Sequence, residues 1–343
     1  MANNRIFYAN HAVGVGAQSV ATFTEVHGLQ SAAVNTNFNV EYVKEIGQLA
    51  TYEAVEDIPS VEITLEKVLD GYPLIYHLCT QGASSDSLAG RGNVSCQVAV
   101  SIFDDDQDAS SGTPLSQLTA SGLFVNALRY EFPVDGNCTE SVTLIGNNIE
   151  WKTAGFTFSG TLFDNTDEPL ALTSGLGGVQ RRENLVFAGS DLASVTRLPT
   201  SIGGIPGISA SGTNDKTADV YGAHVQRISV ATDLNREELR ELGRKLFYFR
   251  AIGFPIDVTC DIEVLSTLGN RVDATEAGAV SGTNIPNQII RVVTEEGTNI
   301  DLGTKNILRS VSYANGNADG GNVSDTYSYT NQNYLIVSHP QSP

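Results

Sequence analysis

No two cysteines have CxxC spacing: Cys79, Cys96, Cys138 and Cys260 are scattered, as are the five histidines. That argues against a structural zinc site, which needs clustered thiol and imidazole ligands. A single Met and a single Trp exclude a Met-rich binding groove and an indole-lined sugar site. Basic residues are scarce, 20 Lys and Arg against 39 Asp and Glu, for a net charge of −19. Such a chain is a poor candidate for gripping nucleic acid by its phosphates, although it can sit beside DNA without holding it. No run approaches the roughly 18 apolar residues of a membrane span. The opening MANNRIFYANHAVGVG lacks a basic region followed by an apolar core, so no signal peptide is expected. Cys96, Cys138 and Cys260 sit in partly apolar, strand-like settings, where buried free thiols are the default. A reducing cytoplasm as the place of synthesis fits that usage.

What remains is hydrophobic and glycine-rich. Hydrophobic residues make up 41% of the 343 positions, enough for real cores. At roughly 150 residues per domain the length predicts about two domains. Charged residues are only 17%, and there are 33 glycines. Low charge with many glycines points to strands, turns and surfaces covered by partners.

The most informative feature is internal similarity. Residues 30–59 (QSAAVNTNFNVEYVKEIGQLATYEAVEDIP) align without gaps on residues 226–255 (QRISVATDLNREELRELGRKLFYFRAIGFP). Gln30 matches Gln226, Val34 Val230, Thr36 Thr232, Asn39 Asn235, Glu41 Glu237, Glu45 Glu241, Gly47 Gly243, Tyr52 Tyr248 and Pro59 Pro255. A one-residue insertion then places Val61 on Val258 and Glu66 on Glu263. A second block, 127–145, recurs at 309–329, with Tyr130 on Tyr313 and, after a two-residue insertion, Gly136 and Asn137 on Gly321 and Asn322. Shared strand composition explains the alternation but not these matched polar, glycine and proline positions.

Each copy opens with a strand, 32–38 or 228–234. Asn39 or Asn235 is then expected to start a short helix. Asn235 and Glu238 have capping-box spacing, Leu239, Leu242 and Leu246 form an inward stripe, and Gly47 or Gly243 closes the helix in the left-handed region. Strands follow at 60–65 and 256–262, at 94–102 and 288–294, and in hairpins 124–132/140–145 and 306–313/324–329. The turns of those hairpins fall at Asp135-Gly136 and Gly320-Gly321. The fold class is therefore mostly β: two tandem sandwich or barrel domains, each with a short flanking helix. The domains are 1–155 and 222–343. Residues 156–221 form a Gly-rich connection and arm that also supplies opening strands of the second domain, and FTFSGTLF at 156–163 completes the first.

No catalytic, cofactor or metal site is assigned. GLGGVQ at 175–180 lacks the Lys-Ser/Thr of a phosphate loop and any βαβ context. The acidic run Asp104-Asp105-Asp106-Gln107-Asp108 does not fit an EF-hand and reads as a solvated hairpin loop, with Glu295-Glu296-Gly297 a matching surface turn. His77, between Tyr76 and Leu78, reads as a buried core histidine. His11, His27, His224 and His339 have no adjacent nucleophile in a strand-turn-helix setting. Arg236, Arg240, Arg244, Lys245 and Arg250 form the main basic cluster, either a solvated helix face or a contact to a neighbour's carboxylates.

In EIGQLATYEAVEDIPSVEITLEKVLDGYPLIYHL (45–78), GLFVNALRYEFPVDGNCTESVTLIGNNIEW (122–151) and the RREN–LPTSIGGIPGI segment (181–208), the sequence resembles the tail tube proteins of tailed bacteriophages. The resemblance implies a structural virion subunit that is not an enzyme and carries no cofactor. Such subunits self-assemble into rings that stack around a channel for DNA, with sheath, baseplate or terminator proteins as further partners and no membrane insertion. It implies residence in the viral tail after synthesis in the host cytoplasm. Two tube-like copies per chain imply a homotrimer forming a pseudo-hexameric ring. A baseplate, tail terminator or capsid decoration protein is the alternative within the same class, and a β-rich binding module or enzyme lies outside it.

Overall fold

A computed structural model describes residues 6, 8–18, 23–104, 114–153, 178–185, 224–244, 247–265, 288–313 and 322–340. In the first half the elements are β1 (His11–Ala17), β2 (Thr24–Glu25), β3 (Leu29–Asn37), β4 (Val40–Lys44), β5 (Thr51–Glu56) and β6 (Ser60–Val68). Two one-turn helices follow, α1 (Ile75–Cys79) and α2 (Leu88–Gly92), then β7 (Ser95–Ile102), β8 (Ser116–Pro133), β9 (Thr139–Gly146) and β10 (Asn148–Lys152). The second half has β11 (His224–Asp233), β12 (Glu237–Leu239), β13 (Phe249–Ala251), β14 (Asp257–Leu265), β15 (Arg291–Val293), β16 (Asn299–Asp301), β17 (Ile307–Tyr313), β18 (Ser324–Gln332) and β19 (Ile336–Ser338).

Period-two alternation places the core. In β6, Val61, Ile63 and Leu65 are buried while Glu62 is exposed, and β14 does the same with Val258, Cys260 and Ile262 against Asp257 and Asp261. All four cysteines are buried free thiols. Inside that core, the two repeats share strand order, register and irregularities. The first runs β3-β6-β9-β8, the second β11-β14-β18-β17. Thr36 faces Val61 as Thr232 faces Val258, and Tyr130 faces Glu140 as Tyr313 faces Asp325. The register slips at Gln30 and at Gln226, and again at Asn126 and at Arg309, so both β-bulges recur at matched places.

The structure corrects the expected fold in two respects. The short helices at 39–47 and 235–243 are β-hairpins, β4–β5 and β12–β13. Asn235 caps no helix: with φ 43 it turns the chain between strands, as Asn39 does with φ 44. Gly47 (φ 95) and Gly243 (φ 88) are left-handed as expected, but each lies in the turn of its hairpin. Leu242 is fully exposed rather than part of an inward stripe, and Leu246 lies outside the described residues. Nor do the described strands form two separately closed barrels. β8 pairs with β11, so the described strands of both halves run as one sheet, β3-β6-β9-β8-β11-β14-β18-β17, open at β3 and at β17. Both α-helices belong to the first half among the described residues. Most of the 156–221 connection, including FTFSGTLF, lies outside the described residues, as do the turn Gly320-Gly321 and Asp105 to Asp108.

Each repeat enters its hairpin through an asparagine whose backbone N–H donates to the side chain two residues earlier, Asn37 Oδ1 at 3.2 Å or Asp233 Oδ1 at 2.8 Å. Alanine is penalised at positive φ and cannot replace the Asn39 Nδ2 bond to the Ile58 carbonyl at 2.8 Å. Asn39→Ala and Asn235→Ala are each expected to lower stability by about 1–2 kcal/mol. Asn→Gly at the same sites should cost less, and urea unfolding of the four variants checks the order.

Candidate assembly interface

The 18-residue strand β8 is where the repeats meet. Along its second half it carries β9 on one edge and β11 on the other, with Val230 opposite Tyr130 and Ile228 opposite Phe132. Leu128, Tyr130, Phe132, Ile228 and Val230 are all buried beneath this join. At the matched positions of the open edges, the same layer is uncovered. Ala32 and Phe38 of the β3 segment are exposed, Val34 and Thr36 half-buried, and Val311 of β17 is half-buried where its counterpart Leu128 is buried. The difference follows from position: β11 has a strand on each side, whereas β3 has only β6 and β17 only β18 among the described residues.

The β12–β13 hairpin clamps the join. Arg236 donates from Nε to the Val125 carbonyl at 2.7 Å, donates to the Gly92 carbonyl, and lies over the Phe124 ring at 4.9 Å. Burial, reinforced by Arg250, lowers the Arg236 pKa to about 10, which leaves it charged at neutral pH. Arg250 donates to Asn147 Oδ1 at 2.7 Å and pairs with Glu238 at 2.6 Å. Arg240 and Arg244 are exposed and bridge Asp57 and Glu241. The basic cluster is thus not a helix face. Arg236 and Arg250 join the halves in half-buried or buried settings, Arg240 joins them at the surface through Asp57, Arg244 pairs within its own hairpin, and Lys245 lies outside the described residues.

The outer face of the continuous sheet is hydroxylated and acidic. Ser, Thr and Asn side chains alternate with Glu62, Glu66, Asp233, Asp257, Asp261 and Glu263. Arg129 and Arg227 share this face, and both pair with Glu131. The remaining carboxylates therefore dominate its potential.

Beneath the sheet lies a second contact between the halves. Glu140 is wholly buried and accepts the backbone N–H groups of Ile75 (2.6 Å) and Tyr76 (3.1 Å) and the Tyr130 hydroxyl (2.9 Å). Burial pushes its pKa up, against the pull of Lys67, which itself pairs with Asp70 at 2.9 Å. His77 is buried as expected and bonds the Val337 carbonyl at 3.0 Å, tying α1 to β19. Burial holds His77 down to about 4 and His339 to about 3, so both are neutral near pH 7. Glu295-Glu296-Gly297 is not the expected surface turn. Glu296 is buried, accepts the Thr298 hydroxyl at 2.8 Å, and stands near Asp70 and Lys67 of the first half. Its burial was invisible in sequence because those neighbours are remote along the chain.

Of the remaining sequence features, Gly178 and Gln180 belong to a short stitch rather than a phosphate loop. Gln180 accepts the Cys138 N–H (2.8 Å) and donates to the Leu69 carbonyl (2.7 Å). His27 stacks on Tyr72 with centroids 4.1 Å apart. No group of three or more His, Cys, Asp and Glu among the described residues is placed to hold a metal ion, and no described helix is long and apolar enough to cross a membrane.

No protein-family profile matches the chain, and no curated protein matches it. Solved structures similar to it include the tube-terminating cap of the anti-feeding prophage, at 15% identity over 45% of this chain and 95% of that one, TM-score 0.34. Another is the sheath–tube complex of an extracellular contractile injection system in its extended state, at 12% identity over 45% and 95%, TM-score 0.34. The anti-feeding prophage baseplate is similar at 8% identity over 44% and 97%, TM-score 0.33.

The Glu296 environment gives a pH test. Burial raises its folded pKa from 4.5 to about 7. A carboxyl with a raised folded pKa binds its proton more tightly in the native state, so its contribution is present at low pH and is lost as pH rises through that window. Glu296→Gln should therefore gain stability relative to the parent as pH rises from about 5 to 8, by roughly 2–3 kcal/mol. His77 and His339 titrate in both proteins and cancel in the difference. Urea unfolding of both proteins at the two pH values measures it.

Proposed function

We propose that this chain is a structural subunit of a phage-like tail tube, in which three copies close a pseudo-hexameric ring and rings stack around a channel for DNA. The observation that carries this reading is the β8·β11 join. One chain contains a complete repeat-to-repeat junction, and it leaves open the two strands, β3 and β17, that are the counterparts of β11 and β8. A junction whose two halves recur on the outer edges can propagate from chain to chain, and rotation closes it into a ring. Pairing also removes the hazard of exposed β edges.

In this reading 1–155 and 222–343 are the two tube domains, joined by the 156–221 arm. The acidic, hydroxyl-rich sheet face lines the channel. Like charge keeps DNA from adhering, while Ser and Thr hydroxyls hold water along the wall. The protein is made in the host cytoplasm and resides in the viral tail, against sheath, baseplate and terminator proteins. A terminator or baseplate ring shares the same lateral closure and differs in stacking: a single ring that never stacks at high concentration would select it. Enzymatic action has no part in the proposal.

Transferring the β8·β11 register to the open edges sets Asn35 opposite Ser312. The double variant Asn35→Cys/Ser312→Cys should form disulfides between chains under mild oxidation, because directly opposed cross-strand side chains approach closely. The native thiols are all buried and should not compete. Chains that assemble without this cross-link would contradict the edge-to-edge join.

A further inference from the structure

Hairpin β4–β5 stands apart from every other described strand: its two strands pair only with each other. It exposes Phe38 at its base (68%), Tyr42 (64%) and, near its tip, Ile46 and Leu49. A projecting hairpin with that much apolar surface is a contact element. Its counterpart β12–β13 makes its contact within the chain. That hairpin folds back on the preceding repeat of its own chain: Leu234 is buried against Gly92 and its N–H donates to the Asn126 carbonyl at 2.7 Å. Arg236 covers Phe124 at 4.9 Å.

From these matched positions we infer that β4–β5 is a clasp that closes over the second repeat of a neighbouring copy of this chain, setting Phe38 and Val40 against the start of β17. The inference rests on the ring reading and adds the residues that lock it. Phe38 matches Leu234, Val40 matches Arg236, Ile307 matches Phe124 and Arg309 matches Asn126. The Phe38 N–H then donates to the Arg309 carbonyl. Both members of the cation–aromatic pair are exchanged together: where the chain uses Arg236 on Phe124 within itself, it offers Val40 and Ile307 between copies. Val40 is 41% exposed and Ile307 45% exposed, so both halves of the apolar pair are uncovered in the single chain. The coordinated exchange also has a use. Arg236 would be poorly matched to Ile307, which lacks the ring that Phe124 offers it, so the β12–β13 hairpin prefers its own partner surface.

The test rebuilds the intrachain pair between chains. Val40→Arg alone should weaken ring assembly of the full chain about tenfold or more, measured as the concentration at half-assembly by mass photometry. Val40→Arg combined with Ile307→Phe should restore assembly to within about threefold, because it recreates a cation over an aromatic ring. Both sites are surface positions, and an unchanged thermal midpoint of the unassembled chain checks that folding is intact. As a second measurement, Asn37→Cys/Ser310→Cys should cross-link between chains and Asn37→Cys/Ser312→Cys should not. Normal ring assembly by Val40→Arg, or an effect confined to stacking between rings, would overturn the clasp and leave the ring reading standing. A parent chain that forms no ring at all would remove both.

Discussion

Backbone pairing along β8 is the constraint on which the rest of the structure depends. A strand needs a partner on each edge or must be protected from unwanted ones. β8 is long enough to meet β7 and β10 along its first half and β9 and β11 along its second. Those pairings continue the sheet from one repeat into the next. They also bury Tyr130 beneath the join, where its hydroxyl meets Glu140 and so connects the sheet to the start of α1.

The same constraint explains the uneven burial of the two copies. Among the described residues, matched positions are buried where a neighbouring strand is present and only half-buried where none is, as in the pairs Val230 and Val34 or Leu128 and Val311. Moving a Val, Leu or Phe side chain from water to full burial stabilises by about 1.5–3 kcal/mol. Several such residues lie along β3, β4 and β17, so covering them provides a substantial drive to associate. In the proposed ring, two of the positions lie on one polymer, which fixes their effective concentration independently of the number of chains present.

Much of this was legible in the sequence, for identifiable reasons. The matches of Gln30 with Gln226 and Tyr130 with Tyr313 marked real structural positions: the glutamines sit at equivalent bulges and the tyrosines in equivalent registers. Gly47 and Gly243 carry the expected left-handed φ, but in hairpin turns rather than at helix ends, and Asn39 and Asn235 are left-handed residues between strands rather than helix caps. The spacing of Leu239 and Leu242 suits a helix, and the capping-box pair Asn235 and Glu238 reinforced it. The alternation in Val40-Glu-Tyr-Val43 and Thr51-Tyr-Glu-Ala-Val55 carried the better signal for a hairpin. The β8·β11 join and the burial of Glu296 were not legible, because each depends on partners remote in the chain and leaves no periodic trace.

In the proposed ring, the intrachain junction is the unit from which closure is built. Imaging of assembled rings or tubes, with the number of chains per ring fixed by native mass, tests it most directly. Three chains per ring are expected, with true three-fold symmetry, an approximate six-fold repeat and the acidic sheet face toward the channel. Six whole chains per ring, or a monomer that forms no polymer at high concentration, would contradict this.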